Sequence, residues 1–316
     1  DFFSFTVNGV LIAEGSESLP IVFTSGQPTP ALGDWSGITL NGEGNILKNL
    51  EYSYALDGIS GTGAHQTTIE NCSVSDLPLD SDGLHFTDSH YLNINQNTID
   101  VNGTHGIYAY NSDNSVFDGN TVTGRPDHGL YSPNSENSVY KNNQFDVYYH
   151  GFYCEDGAYL EFTNNTVTSF EEYGIRFRSS ENSVISYNRL FAHETSGGWM
   201  CGIYNHENYS QNATVSNNYI EINSSSSNHH YGIMVHDATV VQDTIIMFDN
   251  SCDHRIGIEG NRNALIKDNY IDIYDNGCGG QGQAIVNWCA SDDRCVIEGN
   301  TIIAQGNVQG ISASYS

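Results

Sequence analysis

The sequence predicts an all-β protein, a parallel β-helix of about twelve coils, and three observations carry that reading. One is a short phrase recurring at a fixed interval: Asp-Gly-Leu-His at 82–85, His-Gly-Ile-Tyr at 105–108, His-Gly-Leu-Tyr at 128–131, His-Gly-Phe-Tyr at 150–153 and Tyr-Gly-Ile-Arg at 173–176. Its glycines, Gly83, Gly106, Gly129, Gly151 and Gly174, are spaced 23, 23, 22 and 23 residues apart, a period that belongs to solenoids built one layer per repeat. A second is a column of asparagines in the same register: Asn49, Asn71, Asn97, Asn120, Asn143, Asn165, Asn188, Asn218, Asn250, Asn269 and Asn300. The third is composition. Thirty-two Gly, only six Pro, short apolar-alternating runs and no amphipathic helical pattern suit a turn-rich β protein rather than leucine-rich or propeller repeats.

Taken from the start, residues 1–35 read as strands at Phe5-Thr6-Val7, Val10-Leu11-Ile12 and Ile21-Val22-Phe23. Ser36-Gly37-Ile38 and Asp57-Gly58-Ile59 bring the repeat up to the core series. Beyond it come Cys201-Gly202-Ile203, Tyr231-Gly232-Ile233, Ile256-Gly257-Ile258, Gln283-Ala284-Ile285 and Gln309-Gly310-Ile311. Each Asn follows one short strand, such as Leu92-Asn93-Ile94-Asn95, and precedes another, such as Thr98-Ile99. Asn tolerates left-handed turns and can bond its own backbone, and stacked amides can bond along the axis, so the column is expected to be a ladder. Spacing lengthens around 193–200, 223–230, 237–244 and 275–283, which read as rim loops. The expectation is one domain over residues 1–316 with no capping helix at either end: a fragment of a longer chain, or an open-ended protomer that stacks end to end into a filament.

Ten Lys and Arg against 38 Asp and Glu give a net charge of −28, a field that repels nucleic acid, anionic membranes and polyanionic glycans. No apolar run is long enough to span a bilayer as a helix. The seven Cys show no metal-site spacing, so no metal site is assigned. In an oxidising compartment Cys289 could pair with Cys295 and Cys252 with Cys278, while Cys72 reads as a buried small hydrophobe. Sequons fall at Asn71, Asn102, Asn164, Asn208, Asn212 and Asn223; Asn71 belongs to the ladder, leaving the other five as candidate glycosylation sites of a secreted or cell-surface chain.

The Asn before a Thr/Tyr-apolar pair resembles the repeat signal of the right-handed parallel β-helix, or pectin-lyase-like, superfamily, and the resemblance runs over nearly the whole chain. A narrower likeness lies inside it. Leu79-Asp80-Ser81-Asp82-Gly83-Leu84-His85-Phe86-Thr87-Asp88-Ser89 is similar to the Asn-Thr-Asp-Gly segment of polygalacturonases, Asp127-His128-Gly129-Leu130-Tyr131 sits where that family has Gly-His-Gly, and Gly174-Ile175-Arg176-Phe177-Arg178 echoes its Arg-Ile-Lys. The resemblance implies an acidic role for Asp82, a site histidine at His128 and substrate binding by Arg176 and Arg178. Thr104-His105 stands where that family carries an Asp-Asp pair, so the two carboxyl groups that inverting hydrolysis needs are not both supplied.

From the residues themselves, the side chain before each Gly and the one two after it are read onto one exposed face, with the apolar residue between them pointing inward. His and Tyr can act as base and acid, and Arg can stabilise a carboxylate, the set that β-elimination or C5-epimerisation of a uronate needs. The candidate catalytic residues are therefore Asp82, His105, His128, His150 and Arg176. The candidate substrate-binding residues are His85, Tyr108, Tyr131, Tyr153, Tyr173, Arg178 and Tyr204, since amphipathic rings suit sugar faces. Repeated identical residues are also what a purely structural ladder gives. The functional expectation is a secreted protein that binds or processes a polysaccharide; a reaction, where there is one, belongs to the lyases, epimerases or glycoside hydrolases. The alternative is a non-catalytic structural surface glycoprotein. No cofactor is assigned; Ca²⁺, held by acidic loops such as 76–82, could bridge acid to acid.

Overall fold

The computed structural model describes residues 3–194, 198–205, 211–224, 229–249, 254–275, 282–289 and 293–315. The chain divides into two compact units, Asp1–Tyr153 and Cys154–Ser316, and the same architecture builds both. Each coil contributes one short strand to each of three sheets, and every pairing between successive coils is parallel. No helix occurs among the described residues.

In the first unit the coil is seen at its simplest in Asp82–Thr87, Asn93–Asn95 and Thr98–Asp100, which pair in register with His105–Tyr110, Val116–Asp118 and Thr121–Thr123. Inward side chains stack on their own kind from coil to coil. Leu84, Ile107, Leu130 and Phe152 line the first sheet, Ile94, Phe117 and Tyr140 the second, and Ile99, Val122 and Phe145 the third, all buried. The second unit repeats this with Ile175, Ile203, Ile233, Ile258 and Ile285 on its first sheet and Leu190, Ile220, Ile245 and Ile271 on its third. One methylene of such packing is worth about 0.8 kcal/mol, so the repeated stacks supply the main cohesive term.

The recurring glycine has a steric cause. A Cβ on Gly83 would lie 2.4 Å from Ile99 Cγ2 and 2.6 Å from the Gly106 carbonyl oxygen, and one on Gly106 would lie 2.5 Å from Val122 Cγ1. The third-sheet side chain fills the corner that a first-sheet side chain would need. The strand bends there, and Gly83 and Leu84 both turn inward. Asp82 and His85 therefore share the outward side although strict alternation would separate residues three apart.

The asparagine ladder is real, with a register correction. Asn97, Asn120 and Asn143 form it in the first unit: Asn120 Nδ2 donates to Asn143 Oδ1 at 3.0 Å and to Ile94 O at 2.8 Å. Cys72 fills the equivalent position one coil earlier, its N–H bonded to Asn97 Oδ1. Asn71 and Asn49 sit one residue before the ladder, at φ 52° and 50°. Asn suits both the left-handed residue and the amide rung beside it, which is why the column slips by one in the sequence. In the second unit the rungs are Asn165, Asn188, Asn218, Asp243, Asn269 and Asn300. Asp243 stands where the sequence pattern points to Asn250, which lies outside the described residues. For the same reason 237–244 is not a rim loop: it contains the strand Ala238–Val241 and the ladder turn. A smaller serine ladder was also missed. Ser112 N–H bonds Ser135 Oγ at 3.0 Å and Ser115 N–H bonds Ser138 Oγ at 3.2 Å, and the repeated Asn-Ser-x-Asn-Ser at 111–115 and 134–138 is its signature.

Lys48 and Lys141 in the first unit and Lys267 in the second occupy one register position of the second sheet, facing Glu70 at 3.2 Å, Asp118 at 3.4 Å and Glu298 at 2.9 Å. Exposed pairs of this kind add little stability, but they commit the lysines to that sheet.

Candidate functional site

In the first unit the structure brings together Asp82, His105, His128 and His150 in one column and His85, Tyr108, Tyr131 and Tyr153 in the column beside it. Asp82 is the pivot. Its Oδ2 accepts from His85 Nδ1 at 2.7 Å, and its Oδ1 accepts from His105 Nδ1 at 2.7 Å and from the His105 main-chain N–H at 3.1 Å. Burial alone would raise this carboxyl, but the hydrogen bonds from His105 and His85 outweigh it and hold Asp82 below the ordinary carboxylate range. With both Nδ1 atoms turned to Asp82, the Nε2 of each ring faces away from it.

Below Asp82 the imidazoles are layered, His105 to His128 at 5.0 Å and His128 to His150 at 4.7 Å between centroids. Burial, then the neighbouring charges of His150 and His105, push His128 down to about 3, so it is a neutral ring at ordinary pH. Its Nδ1 is buried without a partner. Asp127, absent from the predicted site, belongs to this group: burial raises its carboxyl against the opposing pull of His105 and His150. Its place in the Asp-His-Gly-Leu-Tyr phrase was the available signal.

The aromatic column is not an open sugar platform. His85 stacks on Tyr108 at 4.3 Å and 8°, Tyr108 on Tyr131 at 5.3 Å and 12°, and Tyr131 on Tyr153 at 4.8 Å and 19°. The ring faces are spent on one another, so the column offers edges and phenol oxygens. Beside it a cleft of about 330 Å³ is lined by Asp57, Gly58, Ser60, Asp82 and His85.

The remaining predicted residues, Tyr173, Arg176, Arg178 and Tyr204, belong to the second unit. Glu155, only 7% exposed, takes Arg176 Nε at 2.6 Å and Arg178 Nη2 at 3.3 Å, with Arg178 Nε 3.0 Å away. The arginines therefore clamp a buried carboxylate of their own chain. Arg176 also lies over Tyr173 at 4.9 Å and Tyr204 at 5.5 Å. Tyr173, read as exposed, is buried in an apolar cluster with Cys201, Tyr231, Met234, Ile256 and Val286 against which Trp199 and Tyr204 pack.

Cys289 and Cys295 are bonded to each other. Cys252, Cys278 and Asn208 lie outside the described residues, while Asn102, Asn164, Asn212 and Asn223 are exposed. No helix among the described residues is long and apolar enough to cross a membrane.

With this geometry in hand, the chain is a parallel β-helix with one polar aromatic face, and comparison places it further. A family described as periplasmic copper-binding protein (NosD) matches residues 23–197, more than half of the sequence, and the chain belongs to this right-handed β-helix family. Among solved structures it is similar to the Streptococcus pneumoniae surface protein and adhesin PfbA, at 14% identity over 99% of this chain and 90% of that one, with a TM-score of 0.51. It is also similar to the tailspike protein of E. coli bacteriophage HK620 in complex with hexasaccharide (12% identity, 89% and 59% covered, TM-score 0.47). The catalytic domain of GH87 α-1,3-glucanase in complex with nigerose is a further likeness (12% identity, 99% and 64% covered, TM-score 0.44). The PfbA likeness concerns the fold alone. A search of curated proteins by sequence found no match.

Proposed function

We propose that this chain binds a polysaccharide outside the cytoplasm, along the outward face of the first sheet of its first unit, with the cleft of Asp57, Ser60, Asp82 and His85 as the anchoring subsite. The observation that carries the reading is Asp82, a carboxylate held ionised by two histidines at the wall of that cleft. Fixed acceptors of this kind, beside ring edges, suit the hydroxyls of a sugar. The adhesin title of PfbA, the hexasaccharide of the tailspike and the nigerose of the glucanase belong to those proteins and agree with this ligand class. The Cys289–Cys295 bond and the periplasmic description of the family agree with the location.

Binding, rather than cleavage, is what the protonation states favour. Asp82 is kept ionised and His128 neutral, so neither is the proton donor that cleavage needs, and the raised carboxyl of Asp127 lies outside the cleft of Asp57, Ser60, Asp82 and His85. The ligand carries few acidic groups. Lys48 and Lys141 are committed to the second sheet, Arg125 lies over the Tyr148 ring, and the cleft itself is lined by Asp57 and Asp82 with no Lys or Arg to meet a uronate.

Copper, named in the family's description, does not fit the described residues. No three of their His, Cys, Asp or Glu side chains form a group that could hold a metal ion. His105, His128 and His150 are layered rather than convergent, and one His105 nitrogen is taken by Asp82. Burial pushes the Cys72 thiol up to about 11, away from the thiolate a soft metal takes.

An oligosaccharide array spanning neutral, amino-sugar and uronate glycans tests the proposal, repeated with Asp82→Asn. Binding of neutral or amino-sugar chains, weakened about tenfold or more by the substitution, is expected, since a charge-assisted hydrogen bond is worth roughly 1.5–3 kcal/mol. No binding to any glycan, or tightest binding to uronates, overturns it.

A further inference from the structure

The ladder of the second unit changes chemistry at one rung. Asn165, Asn188, Asn218, Asn269 and Asn300 are amides, and Asp243 stands between Asn218 and Asn269. A regular rung does two things. Its Oδ1 accepts from the rung before, and its Nδ2 donates twice, as Asn218 does to Asp243 Oδ1 at 2.9 Å and to Ile185 O at 3.0 Å. Asp243 does only the first: its Oδ1 accepts from the Asn218 main-chain N–H at 2.7 Å and from the Asn218 amide. Its Oδ2 takes the place of the amide nitrogen, is buried and has no partner. The register sets two acceptors against that place. One is Asn269 Oδ1, which already takes the Asp243 N–H at 2.9 Å, and the other is the carbonyl of Val215, aligned with Val240.

We propose that Asp243 carries a proton in the folded chain and works as a pH-operated latch: as an acid it donates from Oδ2 and closes the ladder between Asn218 and Asn269, and as a carboxylate it opens it. An ionised Oδ2 would face two acceptors in a turn from which water is excluded, an arrangement that costs more than either group left alone. No neighbouring charge relieves it. The coil before presents Ser216, Asn217 and Asn218, and Asp243's own turn presents Gln242 and Thr244, all uncharged. The coil after presents Lys267 and Asp268 beside Asn269; Lys267 faces outward and is paired with Glu298 at 2.9 Å. The carboxyl is governed by burial, which raises it from 3.8 to about 7 against the hydrogen bonds from Asn218 and Val241, with no contribution from a charged side chain. A raised acid stabilises the fold fully below its unfolded value and loses that contribution as pH rises to the folded value. The window therefore runs from roughly pH 4 to pH 7, and the latch stands half open near neutrality.

The experiment compares the full chain with Asp243→Asn, which restores the missing amide, by urea unfolding from about pH 5 to pH 8, together with the infrared carbonyl band of protonated carboxyl groups at about pH 6. The folding equilibrium constant of the wild type is expected to fall about tenfold per pH unit relative to the variant as pH rises towards 7, and the wild type should show a component of the band that the variant lacks. Asn188→Asp, placed at a regular rung, should acquire the same dependence, and folding at pH 5 but not at pH 8 would itself support the latch. Parallel pH profiles for wild type and Asp243→Asn, or an unchanged infrared band, overturn it.

Discussion

His128 gives the first unit an acid sensitivity whose size follows from the structure. The ring is layered between His105 and His150, buried, and depressed from 6.5 to about 3 by that burial and by its neighbours' charges. Because the folded state prefers the neutral ring, its contribution to stability is complete above 6.5 and is lost as pH falls towards 3. At pH 5 the shortfall is about 1.5 pH units, and at about 1.36 kcal/mol per unit that is about 2 kcal/mol. His128→Phe keeps a ring in the stack and removes both the titrating group and the unpartnered Nδ1. The expected result is a variant close to wild type at pH 7.5 and ahead of it by about 2 kcal/mol at pH 5 in urea unfolding, with slowed amide exchange in the strand His105–Tyr110 confirming the location. Other groups titrate in both proteins and cancel in the difference. The same wild-type-to-variant difference at both pH values would refute the reasoning.

Two pairs of further substitutions, and one double variant, probe the scaffold. Asn120→Ala strips partners from Ile94 O and the Asn97 main-chain N–H in a buried turn, at about 1–3 kcal/mol for each, while Asn143 Oδ1 keeps the residue 120 N–H and Asn97 Nδ2 keeps Ile69 O, so a loss of roughly 4 kcal/mol is expected in urea unfolding. Asn300→Ala, at a half-exposed rung, should cost only about 1 kcal/mol, and equal losses at the two positions would contradict the ladder's role. Gly106→Ala forces a methyl group to within 2.5 Å of Val122 Cγ1 and 2.8 Å of the Gly129 carbonyl, and overpacking should lower stability by about 1–3 kcal/mol. Gly310→Ala, with nothing near its Cβ position, should be neutral, and the pair Gly106→Ala with Val122→Ala should recover part of the loss by making room at the corner.

The fold was legible because a solenoid writes each structural requirement once per coil. The glycine corner and the amide rung each recur at the coil period, and either would have been weak evidence at one position. What was lost came from residues that satisfy two requirements at once. Asn suits the left-handed residue and the rung next to it, so Asn49 and Asn71 were read one position out of place, and Cys72 and Asp243 were not seen as rungs. The site was legible as a set of residue types but not as chemistry. Adjacent coils forecast that His85, Tyr108, Tyr131 and Tyr153 align, yet only the interplanar angles show that the ring faces are consumed in the stack. Likewise Glu155 lies 21 residues before Arg176, and nothing in the spacing of a one-coil repeat says which of the neighbouring acids will turn towards the guanidinium.

A column that reads uniformly in sequence therefore splits by environment, and burial decides the split. In the second unit the outward positions Tyr173, Cys201, Tyr231 and Ile256 are packed with Trp199 and Tyr204 into an apolar cluster, and the two arginines there are spent on Glu155. Their contribution is cohesion. In the first unit the same register positions hold Asp82 and His105, and a cleft opens beside them. A carboxylate fixed by two imidazoles keeps its acceptor directions through every rotamer change of a ligand, which is what orienting a flexible sugar hydroxyl requires. That preorganisation, rather than the number of histidines, is the reason to place the ligand in the first unit.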